Sequence, residues 1–263
     1  MSPRKLCICT VLIGLVATLV GCQSSTGNPA GNGSGGSSSL SGKITVFAAS
    51  SLTESFTTLG KQFETAHSGT TISFKFDSSS TLATQITQGN GADVFASAAT
   101  ANMDSVTSAG DAEKPTDFVS NTMEIATPPG DPAEITSVQD LAKSSVKVAL
   151  CDVAVPCGAT AEQVFKNAHV TVHPVSSEPD VKSTLAKVEI KEVDAGMVYV
   201  TDVNAAGDKV TGVRIPAGLN ATTTYPIAVL KGSSNPTLAR AWVAYVLSDA
   251  GQKVLQKAGF SAP

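Results

Sequence analysis

Val46-Phe47-Ala48-Ala49-Ser50-Ser51-Leu52-Thr53-Glu54 runs from an apolar strand through two serines straight into a helix. Ile44, Val46 and Phe47 supply the strand, and Leu52, Phe56, Leu59 and Phe63 keep one face of the helix apolar. Ser51 and Glu54 have capping-box spacing, so Ser51 is expected to close one orphan N–H and Glu54 another. The other first-turn N–H groups then point out of the strand end with the positive end of the helix dipole behind them. Such a corner suits a small anion.

The same strand, serine turn and helix recur downstream. Thr71 to Phe76 alternates as a strand, Asp77-Ser78-Ser79-Ser80-Thr81 forms the turn, and Leu82 and Ile86 belong to a helix that stops at Gly89-Asn90-Gly91. Asp93 to Ala96 and Met123 to Thr127 read as strands, with a helix from Ala101 to Ala109 between them. Beyond Pro128-Pro129-Gly130 come a short helix at Leu141 and a strand from Val146 to Leu150. A poorly capped helix through Val164 and Phe165 follows, its first N–H groups lacking an obvious side-chain partner. Val170 to Val175 is expected as a strand, Pro179 as an early helix residue, and Val181, Leu185 and Val188 as that helix's buried face. Ala195 to Val200 and Tyr225 to Leu230 are strands; helices follow from Asn235-Pro236 and from Ala250 to Lys257, the last ending at Gly259. Alternation of strand and helix argues for an α/β protein whose parallel sheets carry ligands at their carboxyl ends. Two such lobes joined by two crossings make a hinged clamshell.

Met1 to Gly21 has the charged start (Arg4, Lys5) and apolar run of an export signal, too short to span a bilayer comfortably. Leu19-Val20-Gly21-Cys22 resembles a bacterial lipobox, with Cys22 the lipid-modified residue. Residues 22–42 are almost wholly Gly, Ser, Asn and Thr beyond that cysteine, a flexible tether of roughly 25 Å. The net charge of −4 becomes more negative once Arg4 and Lys5 are removed, which argues against nucleic acid or an anionic lipid surface as partner. Of five cysteines, only Cys151 and Cys157 fall in the folded body. In an exported chain they can form a disulfide; free thiols or a metal pair are the alternatives, and no neighbouring His supports a metal.

Three ordered stretches together carry a resemblance: Val46 to Leu52; Phe76 to Leu82 followed by Gly91-Ala92-Asp93-Val94-Phe95; and Asp194-Ala195-Gly196-Met197-Val198-Tyr199. They resemble the molybdate-binding proteins that serve ABC transporters, over Lys43 to Phe260. The resemblance implies a two-lobed periplasmic-binding-protein type II fold with a tetrahedral oxyanion held between the lobes by neutral donors. It implies lobe I at residues 43–125 and 226–263, and lobe II at 126–225. By matched position, Ser51, Ser79 and Tyr199 would offer hydroxyls, and Cys157 and Val181 backbone N–H groups. Cys157 stands where alanine is usual in that family; a backbone donor survives the change, but a bond to Cys151 would restrain its loop.

The resemblance further implies molybdate, with tungstate bound comparably, as ligand, a membrane ABC permease as partner, a monomer at the outer face of the cell membrane, and neither cofactor nor direct metal ligands. The residue chemistry agrees, since no Lys or Arg occurs in 46–54, 76–90 or 150–165. A donor-only pocket favours an anion without a proton, hence molybdate, tungstate or sulfate over monohydrogen phosphate. Asp77, Asp152 and Asp180 are read as helix-start or loop residues. A sulfate or other tetrahedral-oxyanion transporter is the alternative ligand class. A secreted hydrolase is the alternative activity, but Gly36 to Lys43 exceeds P-loop spacing, and no Gly-x-Ser-x-Gly or His-Glu-x-x-His occurs. His67, His169 and His173 read as surface residues, and Trp242 and Tyr245 as core.

Overall fold

The computed structural model describes residues 40–263. The expected export signal, the Cys22 modification and most of the tether lie outside that range. In chain order the elements are β1 (Gly42–Ala49), α1 (Thr53–Ala66), β2 (Thr70–Asp77), α2 (Ser79–Thr87), β3 (Val94–Ala96), α3 (Thr100–Ser108) and β4 (Thr116–Thr127). There follow β5 (Val148–Cys151), α4 (Pro156–Ala168), β6 (Ser176–Glu178), α5 (Val181–Glu189), β7 (Ala195–Tyr199) and α6 (Val200–Ala206). The chain closes with β8 (Thr211–Arg214), β9 (Thr222–Val229), α7 (Pro236–Leu247) and α8 (Asp249–Ala258).

Parallel β2, β1 and β3 form one end of the sheet path, and parallel β7, β5 and β6 form the other. Antiparallel β9 and β4 lie between them. Each end has its own apolar interior. Ile44, Val46, Phe56, Phe63 and Trp242 belong to one core, and Val148, Val164, Leu185 and Met197 to the other. In the first, the Phe56 ring meets Trp242 edge to face with centroids 5.7 Å apart, so burial of large side chains worth about 1.5–3 kcal/mol each fixes α1 against α7. Trp242 is fully buried, and the Tyr245 hydroxyl donates to Gln62 at 3.0 Å.

β4 is the outward crossing. Thr116 to Thr122 pair with β9, whereas Met123 to Ala126 pair with β7 and Glu124 to Thr127 with β8. The strand begins earlier than Met123 because Ser120 and Asn121, polar yet buried, are satisfied: Ser120 bridges Ser261, and Asn121 Nδ2 donates to Thr201 Oγ1 at 2.8 Å. Near the start, Gly42 already pairs with Thr70, and Leu40 packs against the first core. Asp93 accepts from Thr45 N at 2.7 Å and Ser233 Oγ at 2.7 Å, tying β1 to the loop before α7. Its place in the Gly91-Ala92-Asp93 stretch is therefore structural.

Two local expectations fail. Val170 to Val175 is not a strand. His169 adopts the left-handed conformation (φ 53°), Val170 and Val172 pack on the core, Val175 N donates a single bond to Val148 O at 2.9 Å, and the paired strand begins at Ser176. Pro179 lies outside the helix, because the Asp180 side chain is the cap. The sequence reading also missed α6 and β8, two short segments whose placement comes from packing against β7 and β4.

Candidate functional site

Ser51, Ser79, Cys157, Val181 and Tyr199, far apart in sequence, all line one cavity. Each is buried. The cavity lies at the carboxyl ends of β1, β2 and β7 and at the start of α2, α4 and α5, where a parallel α/β arrangement gathers free N–H groups. No Lys, Arg or His is among the residues that line it.

The first wall is made of serines. Ser50 to Leu52 form a tight 3-10 turn ahead of α1, and no side chain caps the helix. The expected capping box is therefore absent. With its backbone inside the turn, Ser51 cannot cap; its Oγ instead lies 2.9 Å from the Tyr225 hydroxyl, and Glu54 pairs with Lys182 at 2.8 Å. Ser79 Oγ accepts from Ala98 N at 2.9 Å. Acceptance there leaves the Ser79 O–H to donate elsewhere. Ser78 caps α2 by accepting from Thr81 N at 3.2 Å, which leaves the Ser79 and Ser80 N–H groups uncapped by it.

The second wall is made of main chain. Val155 precedes α4 without a side-chain cap, and Pro156 takes the first helical position, where it has no N–H to orphan. Cys157 and Gly158 then carry the first free N–H groups of α4. Cys157 is joined to Cys151 by a disulfide, with Cα atoms 5.8 Å apart. Gly158 packs so closely that a Cβ there would meet the Asp152 carbonyl oxygen at 2.0 Å. At α5, Asp180 Oδ1 accepts from Lys182 N at 2.7 Å and Ser183 N at 3.2 Å. The cap thus occupies the second and third N–H groups and leaves that of Val181, the first.

Tyr199 closes the floor. Its hydroxyl is buried without a hydrogen-bond partner, a costly state that a bound acceptor would relieve. Burial, with Tyr225 close by, pushes its pKa well above the ordinary tyrosine value, and burial raises that of Tyr225 too. Both phenols therefore stay protonated donors at neutral pH. Asp77 and Asp180 also line the cavity, but each is engaged locally: Asp77 accepts from Ser78 N at 2.7 Å, and Asp180 caps α5. Asp152 accepts from Ala154 N at 2.8 Å in its loop.

Tyr225 is the cavity neighbour that sequence reasoning missed, having been read only as part of the returning strand. It lies 174 positions from Ser51, and no spacing could link them. Lys182, Glu54 and Asp202 were missed for the same reason. His67, His169 and His173 do not line the cavity, and among the described residues no group of three or more His, Cys, Asp or Glu side chains gathers as a metal site. No helix among the described residues is long and apolar enough to cross a membrane.

Residues 44–261 match the model of the family described as bacterial extracellular solute-binding protein. The molybdate-binding protein ModA of Mycobacterium tuberculosis is 44% identical over 252 residues, covering 95% of each chain. The protein of the same name from Haemophilus influenzae is 32% identical over 88% of this chain and 94% of its own. In fold, the periplasmic molybdate-binding protein of Azotobacter vinelandii superposes with a TM-score of 0.75 at 16% identity, covering 84% of this chain and 99% of that one. The chain belongs to the bacterial extracellular solute-binding protein family.

Proposed function

We propose that this chain is the substrate-binding lipoprotein of a molybdate ABC transporter, anchored through Cys22 at the outer face of the cell membrane. It captures molybdate, with tungstate bound comparably, and delivers it to a membrane permease as a monomer. Residues 43–125 with 226–263 form one closing lobe and residues 126–225 the other. The observation that carries the reading is the set of neutral donors in one cavity: two serine hydroxyls, the unpartnered Tyr199 phenol and the free first-turn N–H groups at Cys157 and Val181, with no cation among them. The two ModA relatives are named for molybdate, which supports the choice of ligand.

Energetically, a hydrogen bond to a charged group contributes about 1.5–3 kcal/mol, and a helix N-terminus up to about 2 kcal/mol more in a partly buried setting. Several such donors offset desolvation of a dianion. The carboxylates Asp77, Asp152 and Asp180 each accept a main-chain N–H of their own turn, which fits their reading as helix-start and loop residues. The chain is on this reading a binding protein, not an enzyme.

Calorimetric titration of residues 40–263 with molybdate, tungstate, sulfate and phosphate tests the reading. Tight one-to-one molybdate binding with weak sulfate binding is the expected result. Preference for sulfate would move the protein to another oxyanion, and silence toward all four would overturn the oxyanion reading.

A further inference from the structure

Lys182 of α5 makes the one ion pair, among the described residues, that joins the two apolar cores. Its Nζ lies 2.8 Å from Glu54 Oε2 on α1 and 3.0 Å from Asp202 Oδ1 on α6. Helix α1 buries Phe56, Leu59 and Phe63 in the first core, whereas α5 buries Val181, Leu185 and Val188 in the second. The three residues of this ion-pair set are each tied along the chain or by a main-chain bond to a residue that lines the cavity. Glu54 follows Ser51 by one turn, Lys182 directly follows Val181, and Asp202 Oδ2 accepts from Tyr199 N at 3.1 Å. The Asp202 side chain is fully buried and Lys182 is its ionic partner, so the ammonium compensates a carboxylate close to the anion cavity.

We infer that Lys182 is a positioning residue for oxyanion capture: it latches α5 to α1 through Glu54, drawing the serine wall and the main-chain wall together around the ligand. This inference rests on the molybdate reading. A latch made between two bodies is formed on closing and broken on opening, so its loss is felt chiefly in ligand escape. If instead Lys182 served only to offset nearby negative charge, removing the charge of Glu54 would tighten the hold on an anion. The two roles predict opposite signs for one substitution.

Molybdate binding to the wild-type protein, Lys182→Met, Lys182→Arg, Glu54→Gln and the Lys182→Met/Glu54→Gln double variant is measured by titration and stopped-flow dissociation. Lys182→Met leaves Asp202 without its ionic partner and risks the fold. Glu54, whose side chain is 53% exposed, can lose its charge without that risk. The latch predicts that Glu54→Gln dissociates molybdate roughly two- to fivefold faster, the range of a partly exposed ion pair, while the ligand-free unfolding midpoint stays near wild type. Lys182→Met is weaker still, the double variant is no worse than Lys182→Met alone, and Lys182→Arg recovers most of the affinity. Wild-type binding with unchanged or tighter binding in Glu54→Gln, or additive losses in the double variant, would overturn the latch and leave the molybdate reading standing. Wild-type protein that binds no molybdate would overturn the ligand reading, and the latch with it.

Discussion

The wall formed by Ser51 and Ser79 is built from side chains, and the wall formed by Cys157 and Val181 from main chain. The serine hydroxyls are oriented by partners that occupy them: Tyr225 beside Ser51, and Ala98 N on Ser79. The main-chain N–H groups are left free by devices that occupy their neighbours, namely Pro156 ahead of Cys157 and the Asp180 cap beyond Val181. A donor carried by a side chain disappears with one substitution. One carried by the backbone tolerates any side chain that keeps its loop in place, which is why Cys157 can stand at a donor position without supplying its thiol.

Moving the backbone is the severest way to test this difference. Gly158→Ala would drive a methyl group into the Asp152 carbonyl, 2.0 Å away, and force the start of α4 outward. The expected cost is about 1–3 kcal/mol of stability by overpacking, with molybdate affinity reduced more than by loss of a single serine. Urea unfolding and titration on the same sample check it, and normal affinity would show that the main-chain wall has slack. Ser51→Ala should weaken molybdate by about 1–3 kcal/mol, roughly 5- to 150-fold, with an intact fold. Unchanged affinity would remove Ser51 from the site. The smallest expected effect on binding comes from Cys151→Ala with Cys157→Ala. Opening that short loop should lower stability by about 2 kcal/mol but keep affinity within about threefold, since both chains retain the same N–H. A larger loss of affinity, read by titration, would mean that the bridge itself holds the donor in place.

Much of the first wall was legible because its signals are local. Ile44, Val46 and Phe47 mark a strand, and the apolar stripe of Leu52, Phe56, Leu59 and Phe63 marks the helix behind it. The role of Ser51 within its turn was not legible. A capping box and a 3-10 turn leading into a helix share the same residue types, and the choice is made by a partner on β9. The free N–H of Val181 was open to a reading by family resemblance, but its cause, the Asp180 cap, was misplaced by assigning Pro179 to the helix. Val170 to Val175 misled for a related reason: Val170 and Val172, β-branched residues at a helix exit, pack on a nearby core without pairing as a strand, and pairing to β5 starts only at the end of the stretch. Lys182, Glu54 and Asp202 come from three separate helices, so only the folded chain reveals them as a unit.

The absence of cations from the cavity lining also bears on the electrical character of the whole molecule. Tyr199 and Tyr225 keep their protons, and no Lys, Arg or His faces the ligand to cancel its charge. On the molybdate reading, filling the cavity therefore adds the entire charge of a dianion to a carrier whose formal net charge, −4 for the full chain, is more negative still without Arg4 and Lys5. Empty and loaded forms then differ in their far field as well as in their contour, and a receiving surface can sense cargo before it touches the carrier.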